Sequence, residues 1–208
     1  GRQEIILDAH RIFGNTLWTM GAHSHDAIRL DHKHDNVSFS YAFITEAEEN
    51  PATDPGDDSD RTTQYLYANI AGVLGGKLST MYVYNSDGCG ARSATLADGT
   101  CQGGANDTHT VGFRQAGQLF GLDYRGEYYY QFGDAMGLVA TENTTLYTTP
   151  QTEINRQAYM FGVRVGKQFK NVSMKPKLTL WYDYLSGTSD DDARNGDWKS
   201  FSTVYDTD

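Results

Sequence analysis

Hydrophobic and polar residues alternate with a period of two along most of this 208-residue chain. The clearest case runs from Phe120 to Phe132, where even positions are mainly aromatic or aliphatic and odd positions are mainly charged or polar. A period of two places successive side chains on opposite faces of a β-strand. At about 3.3 Å per residue this stretch would extend about 43 Å, and a tilt of about 45° leaves a height of about 30 Å. The pattern therefore predicts a strand long enough to cross a bilayer.

Similar alternation recurs along the whole chain, less cleanly at 64–74 and 77–85. No apolar run approaches the ~18 residues that a membrane-spanning helix needs. We therefore predict nine or ten strands. They are predicted near Arg2–Leu7, Ile28–Asp31, Val37–Phe43, 64–74, 77–85, Thr110–Arg114, Phe120–Phe132, Tyr159–Phe169 and Lys177–Tyr184.

The connections between these strands alternate between long and short. A soluble sandwich has no reason to keep this order, whereas outer-membrane barrels have short periplasmic turns and long extracellular loops. The long connections are predicted at Asp8–Ser24, Thr45–Arg61, Ser86–Asn106, Gly133–Asn155 and Leu185–Lys199, and the tight turns at His34–Asn36, Gly75–Gly76, Ala116–Gly117 and Lys170–Asn171.

The fold class predicted from this rhythm is all-β: a large transmembrane, antiparallel, up-and-down β-barrel. We expect residues 1–208 to form a single β-barrel domain. The chain begins inside a strand-like pattern at Gly1 and stops at Asp208 without an end signal. We therefore expect it to be an incomplete segment of a longer barrel.

Charge is unevenly distributed along the chain. The formal net charge is −10, and it arises from two segments: Glu46–Asp60 has seven acids and no base, and Gly187–Asp197 has four acids and Arg194. The rest of the chain is neutral, with 16 acids and 16 bases. This balance provides no basic face for a nucleic-acid partner.

The acidic segments allow two interpretations. They are either solvated extracellular loops or a Ca²⁺ site, since that ion prefers carboxylate oxygens. The run Asp190–Asp192 lacks the alternating ligand spacing of an EF-hand, which favours solvated loops. We expect no cofactor other than this possible Ca²⁺.

Cys89 and Cys101 are the only cysteines and flank an 11-residue segment rich in small residues. In an oxidising compartment the pair predicts a disulfide that closes one long loop. The alternative, a pair of metal thiolates, lacks the other ligands that a metal site needs. Four nearby histidines also suggest a metal, but we favour polar loop and turn residues; they are His23, His25, His32 and His34.

Tyrosines concentrate where predicted strands meet long connections. The lipid-facing members of this group would form the outer aromatic girdle of a barrel. The alternative is that tyrosine is simply a good strand former. The residues are Tyr65, Tyr67, Tyr82, Tyr84, Tyr128, Tyr130, Tyr182 and Tyr184.

The polar side of the strands carries both signs of charge. Guanidinium groups in a water-filled lumen favour carboxylates and phosphates, and neighbouring acids keep a polyanion from binding too tightly to leave. The alternative is that charged ladders only fill and stiffen the barrel. We expect Arg29 and Arg125 to contribute most to anion selectivity, because each lies in mid-strand. The predicted anion path comprises Arg2, Arg29, Lys33, Arg114, Arg125, Arg164 and Lys177, with the acidic partners Glu4, Asp31, Asp123, Glu127 and Asp183.

Signals for catalysis are weak, and we expect no enzyme. The chain has no phosphate-binding loop and no nucleophile-elbow sequence. Asp123 and Glu127 flank Arg125, which favours charge pairing over glycoside hydrolysis. Three functional classes remain open at this stage: a channel, a polysaccharide-active enzyme that is barrel-borne or soluble, and a surface-binding or adhesion protein that uses its loops.

Several blocks of sequence resemble the alginate-export family of outer-membrane barrels, in the order in which that family has them. The resemblance covers most of the chain. One departure is Thr188, where an acid often follows the SG of the family's YDYLSG pattern. The blocks are GRQEIILDAHRIFGNTLW and HDAIRL within Gly1–Leu30, EYYYQFGD at Glu127–Asp134, AYMFGVRVGKQF, KPKLTLWYDYLSG and DWKSFSTVY.

The resemblance implies a large barrel of about 18 strands and a diffusive, anion-selective pore for the acidic polysaccharide alginate. Arg2 and Arg29 match the arginines of the GRQE and DAIR patterns. Location in the outer membrane of a Gram-negative bacterium follows from the same resemblance. The expected partners are outer-membrane lipid or lipopolysaccharide, an acidic saccharide or small anion, and periplasmic export components.

Overall fold

Antiparallel strands make up most of the structure, a computed structural model that describes residues 1–14, 24–45, 61–87, 107–137 and 152–203. Within these ranges there are ten strands, a 3-10 helix at Asp8–His10 and one short α-helix, α1 (Asp190–Arg194). The strands are β1 (Arg2–Gln3), β2 (His25–His34), β3 (Val37–Thr45), β4 (Arg61–Val73), β5 (Gly76–Asp87), β6 (Thr108–Leu119), β7 (Leu122–Gly137), β8 (Thr152–Gln168), β9 (Lys177–Leu185) and β10 (Asp197–Trp198).

From β1 to β9, each strand pairs antiparallel with the next one along the chain, as predicted for an up-and-down fold. The exception to this pattern is β10, which pairs parallel to β8 through Asp197 and Trp198. Over the described ranges the sheet does not close on itself. None of the helices in those ranges is long and apolar enough to cross a membrane.

Short turns join the strands at one end of the sheet, which we call the short-turn end; 46–60, 88–106 and 138–151 connect the strands at the other, the long-connection end. The predicted turn at Ala116–Gly117 is wrong, because β6 continues to Leu119 and the chain turns at Phe120–Gly121. Both turn residues have positive φ, 52° and 75°, as a two-residue type I′ hairpin requires.

A second turn also differs from the prediction. The connection at Lys170–Asn171 is not tight, because Gln168 pairs with Lys177 and eight residues lie between them. Three backbone hydrogen bonds organise it, including one of 2.9 Å from the amide of Phe169 to the carbonyl of Pro176. The short-turn end therefore contains one longer connection among its hairpins.

The two faces of the sheet differ as the alternation predicts. We call the face on which residues 5–13 pack the inner face and the opposite one the outer face. On β7 the odd-numbered Glu127, Tyr129 and Gln131 are buried on the inner face, whereas Tyr128 and Phe132 are exposed on the outer one. Other exposed hydrophobic residues of the outer face are Ile28, Leu30, Phe39, Phe113, Val163, Val165, Leu178 and Leu180.

Aromatic rings cluster on the outer face toward the long-connection end. His109 stacks between Tyr84 and Phe132, with ring centroids 4.7 and 5.0 Å apart, and its Nδ1 lies 2.8 Å from the hydroxyl of Tyr82. Tyr184 stacks on Tyr159 at 5.7 Å. Six of the tyrosines predicted for a girdle lie on this face, but Tyr65 and Tyr67 are buried on the inner face and belong to the core.

The first strand is much shorter than predicted, because the chain leaves the sheet after Gln3. Residues 4–14, which we call the inner segment, fold back across the inner face instead of continuing as a strand or an outer loop. Four of its apolar side chains are buried: Ile5, Leu7, Ile12 and Phe13. They pack with Tyr65, Tyr67, Met81, Val83, Tyr129 and Met160 in one hydrophobic cluster. Burying apolar surface therefore explains why the segment turns inward.

The chain after β9 also returns to the inner face. Gln131 exchanges two hydrogen bonds with the backbone of Ser202, at 2.7 and 2.8 Å, and Phe201 packs against the hydrophobic cluster. Residues 186–203 thus cover the long-connection end, where the sequence predicted a free loop.

Candidate functional site: the charged inner face

One line of cross-strand neighbours runs across the inner face and collects most of its charge. Ser79 pairs with Arg114, Arg114 with Glu127, Glu127 with Gly162, and Gly162 with Asp183. Because side chains directly opposite each other in a sheet lie close together, the strand register alone brings these groups into contact range.

The lack of a side chain at Gly162 makes room in this line. A Cβ at this position would lie 2.5 Å from Oδ1 of Asp183 and 2.7 Å from Oε1 of Glu127. Its absence leaves space in which two carboxylates, from β7 and β9, approach the same point.

Arg11 of the inner segment occupies that point. Its Nε and Nη2 donate to Oε1 of Glu127 at 2.9 and 2.6 Å, and Nη2 also donates to Oδ2 of Asp183 at 2.9 Å. The Glu127 side chain has no exposed surface, and Arg114 and Arg125 lie 3.6 Å from its oxygens. Three guanidinium groups therefore surround one buried carboxylate, which stabilises charges that would be costly to bury alone.

Asp8, three residues earlier, binds a second set of donors. Its Oδ1 lies 2.7 Å from the hydroxyl of Ser79, 2.9 Å from that of Tyr67 and 3.3 Å from Nη1 of Arg114. The ammonium group of Lys77 lies 3.8 Å away. Only 2% of the Asp8 side chain is exposed. These donors come from β4, β5 and β6, so the inner segment is held by ions as well as by apolar packing.

A more open basic region lies toward the short-turn end. Arg125 and Arg164 are direct cross-strand partners on the inner face. They line an open cavity of about 440 Å³ together with Arg114, Asp123 and Lys177. Asp123 forms an ion pair with Lys177, and Gln118 donates a 2.6 Å hydrogen bond to it. Among the described residues Arg164 makes no hydrogen bond or ion pair.

The remaining predicted charges lie nearer β2. Nε of Arg29 donates to Asp31 at 3.0 Å and lies 3.3 Å from the Ser40 hydroxyl. Both residues line a second cavity, of about 370 Å³, with Lys33, Lys77 and Asp8.

Two predicted members of the anion path lie elsewhere. Arg2 was predicted to lie on the inner face, but it lies on the outer one. Its cross-strand partner is Asp26, which has the same parity as the outward-facing Ile28, and the two exposed side chains are 3.1 Å apart. Glu4 is exposed where the chain leaves β1. The alternation persists over residues 2–7, but its faces are reversed: Ile5 and Leu7 are buried on the inner face, so Arg2 and Glu4 are exposed.

Several sequence predictions fall outside the described residues. These are the Cys89–Cys101 disulfide, the acidic segment 46–60 and His23. Within the described ranges no group of three or more His, Cys, Asp or Glu residues is arranged to hold a metal ion. His25 is buried against Phe13, whereas His32 and His34 share the outer face of β2.

Asp190–Asp192 forms the first turn of α1. Ser189 caps this helix, and the amide and hydroxyl of Ser189 both donate to the carboxylate of Asp192. Lys199 donates to the same carboxylate at 2.5 Å. Hydrogen bonds to Lys199 and Ser189 lower the pKa of Asp192 to about 2. This part of the acid-rich sequence therefore organises the loop that covers the inner face.

Sequence reasoning missed the inner segment and its partners: Asp8, Arg11, Tyr67, Lys77 and Ser79. A signal was present, because a solvated loop has little reason to contain Ile12 and Phe13 a few residues after the alternating pair Ile5 and Leu7. The partners themselves could not be read from the sequence, since Arg11 meets residues 116 and 172 positions away.

Comparison with known proteins gives one match. A family model described as alginate export matches residues 1–207. No curated protein sequence and no solved structure matches the chain significantly.

Proposed function

The chain belongs to the alginate-export family, and from this membership and the geometry of its inner face we propose that it forms the wall of a passive outer-membrane channel for anionic solutes. The substrate class we propose is an acidic oligo- or polysaccharide, with alginate as the leading candidate. The family match supports export, and the charges of the inner face support the preference for anions.

The observation that carries the anion preference is the pair Arg125 and Arg164. Like charges directly opposite each other in a sheet are destabilising. Glu127, the acid nearest to Arg125, is already shared with Arg11 and Arg114. A carboxylate entering the cavity beside this pair would find two forked donors and relieve their repulsion.

The acidity of the whole chain does not oppose this proposal strongly. The charges of exposed loops are screened over about 8 Å at physiological salt. Arg125 and Arg164 act at contact range in a partly enclosed space, where charge interactions are stronger. We therefore expect anion preference despite the net charge of −10.

The geometry favours transport over catalysis. A glycosidase needs two carboxyl groups that face an open space between them, one as acid and one as base or nucleophile. Glu127 and Asp183 come together, but the guanidinium of Arg11 fills the space between them. The glycosidic oxygen of a substrate would have no position there.

The outer face supports the proposed location. Exposed aliphatic and aromatic residues cover it from β2 to β9, and extended apolar surface of this kind is typical of contact with lipid. We propose outer-membrane lipid as its partner. Periplasmic export components are a further proposed partner, and they would meet the short-turn end.

Ion selectivity tests this function. We expect the protein, reconstituted in planar bilayers under a salt gradient, to give a reversal potential that indicates anion preference. The double variant Arg125→Glu and Arg164→Glu should weaken or reverse that preference. Arg29→Glu should have a smaller effect, because Asp31 already neutralises Arg29.

The matched control is Arg2→Glu, which makes the same charge change at an exposed position on the outer face. It should leave the reversal potential unchanged. Cation preference in the unmodified protein, or a double variant with unaltered selectivity, would show that these arginines are scaffold and would refute the proposal.

A further inference from the structure

The carboxylate of Asp8 has more donors than an ordinary surface ion pair. The hydroxyls of Tyr67 and Ser79, Nη1 of Arg114 and the ammonium of Lys77 all converge on one oxygen, Oδ1. Two hydroxyls, a guanidinium and an ammonium around a single oxygen form a complete donor set for an anion.

The sheet builds this donor set without help from Asp8. Ser79 and Arg114 are direct cross-strand partners, and the Tyr67 hydroxyl lies 3.1 Å from that of Ser79. The acceptor, in contrast, comes from a segment outside the strand ladder. Asp8 has a φ of +47°, a left-handed conformation that is uncommon for residues other than glycine. The donors are therefore fixed by the strand register, and the segment adopts a less favourable backbone to reach them.

The location of Asp8 links the two basic cavities of the inner face. Asp8, Tyr67 and Lys77 line the cavity that contains Arg29 and Lys33. Arg114 lines the cavity that contains Arg125 and Arg164. A saccharide carboxylate in either cavity would therefore lie next to the residues that surround Asp8.

We infer that Tyr67, Lys77, Ser79 and Arg114 form a carboxylate subsite of the transport path, and that Asp8 occupies it in place of a substrate uronate. The inner segment then competes with the polysaccharide for its own binding surface. This inference rests on the proposed function, because it assigns one subsite to the acidic saccharide of that path.

Current block by a defined oligouronate tests the subsite. The probe is trigalacturonate, with neutral maltotriose as its uncharged counterpart, added to the reconstituted channel. Asp8→Ala removes the internal carboxylate and should tighten block by trigalacturonate about tenfold, the equivalent of one charge-assisted interaction. Block by maltotriose should not change, and adding Arg114→Gln to Asp8→Ala should cancel the gain.

Two further variants make the result specific. Asp26→Ala removes an acid from the opposite, outer face, where it is paired with Arg2 and about half exposed; it should not tighten block. Asp8→Asn keeps a side chain that tolerates the left-handed backbone and can still accept from the hydroxyls. Asp8→Asn replaces Asp8→Ala in the test if the alanine variant does not fold. It should also tighten block by trigalacturonate, but by less than Asp8→Ala.

The outcomes separate this inference from the proposed function. If Asp8→Ala and Asp26→Ala change block equally, or neither changes it, while Arg125→Glu with Arg164→Glu weakens block, the channel stands and Asp8 is purely structural. If trigalacturonate blocks no variant and the two arginines do not affect ion selectivity, both proposals fail.

Discussion

Two regions of the inner face contain the same residue types but use them differently. In the covered region, beneath the inner segment, Arg11, Arg114 and Glu127 are buried and paired with one another. In the open region, toward the short-turn end, Arg164 forms no direct ion pair among the described residues and Lys177 is half-exposed. The difference shows that strand position alone does not decide what an arginine of this face contacts. In the covered region the protein's own carboxylates occupy the arginines, and in the open region Arg164 faces a cavity instead.

Neutralising one acid in each region gives the largest expected contrast. Glu127→Gln should lower the free energy of unfolding by about 3 kcal/mol, because three guanidinium groups then lose their shared buried counter-charge. Asp123→Asn, on the same strand and face, should cost much less, because its pair with Lys177 is partly exposed. Urea unfolding in lipid vesicles measures both values. Equal losses would remove the distinction between the regions.

Adding a methyl group in each region probes packing instead of charge. At Gly112 a Cβ would lie 2.1 Å from Cδ1 of Tyr129, a fully buried ring, so Gly112→Ala should destabilise the sheet by about 2 kcal/mol. At Gly166, in the open region, it would lie 3.2 Å from the flexible end of Lys177, so Gly166→Ala should cost less than about 1 kcal/mol. The same unfolding assay compares them, and a tolerated Gly112→Ala would mean that the covered region is loosely packed.

The smallest expected effect concerns the loop that covers the long-connection end. The pKa of Asp192 is lowered to about 2. Its hydrogen bonds with Lys199 and Ser189 therefore stabilise the folded loop at every pH above about 4, the ordinary pKa of an aspartate. This stabilisation should be lost as the pH falls from about 4 to about 2. The fluorescence of Trp198, with Trp18 and Trp181 replaced by phenylalanine, should change over that interval and stay constant from pH 5 to 7.

Two substitutions in α1 control for general acid effects. Asp192→Asn should abolish the transition, whereas Asp190→Asn, in the same helix, should leave it in place. A transition that survives Asp192→Asn would mean that another group holds the loop.

The sequence predicted the sheet well and its interior poorly, for a physical reason. Alternation is a local property of a strand, so the faces of β7 and the order of the strands could be read directly. The turn at Phe120–Gly121 was missed because Phe120 fits the even-numbered apolar positions of β7, while Ala116 and Gly117 are the small residues expected of a turn. The positions of Asp8 and Arg11 depend on contacts between distant strands, which no local pattern encodes.

The sequence therefore predicted the basic residues on the strands of the site. It did not predict the residues of the inner segment that bind there. Arg114, Arg125 and Arg164 follow from strand parity alone. Their acidic neighbour Glu127 follows in the same way, but the third guanidinium at that carboxylate comes from a stretch that was predicted to be an outer loop. The structure adds which charges remain open to a solute.

The bond from Arg11 to Glu127 and Asp183 also has a consequence for the order of assembly. The two carboxylates lie on β7 and β9 and meet only once both strands have paired with β8. Their partner sits near the beginning of the chain, 116 and 172 residues earlier. Contacts over such separations form late, because the intervening chain must be ordered first. The inner segment is thus among the last to find its place, and the interior stays uncovered until the strands around it are in register.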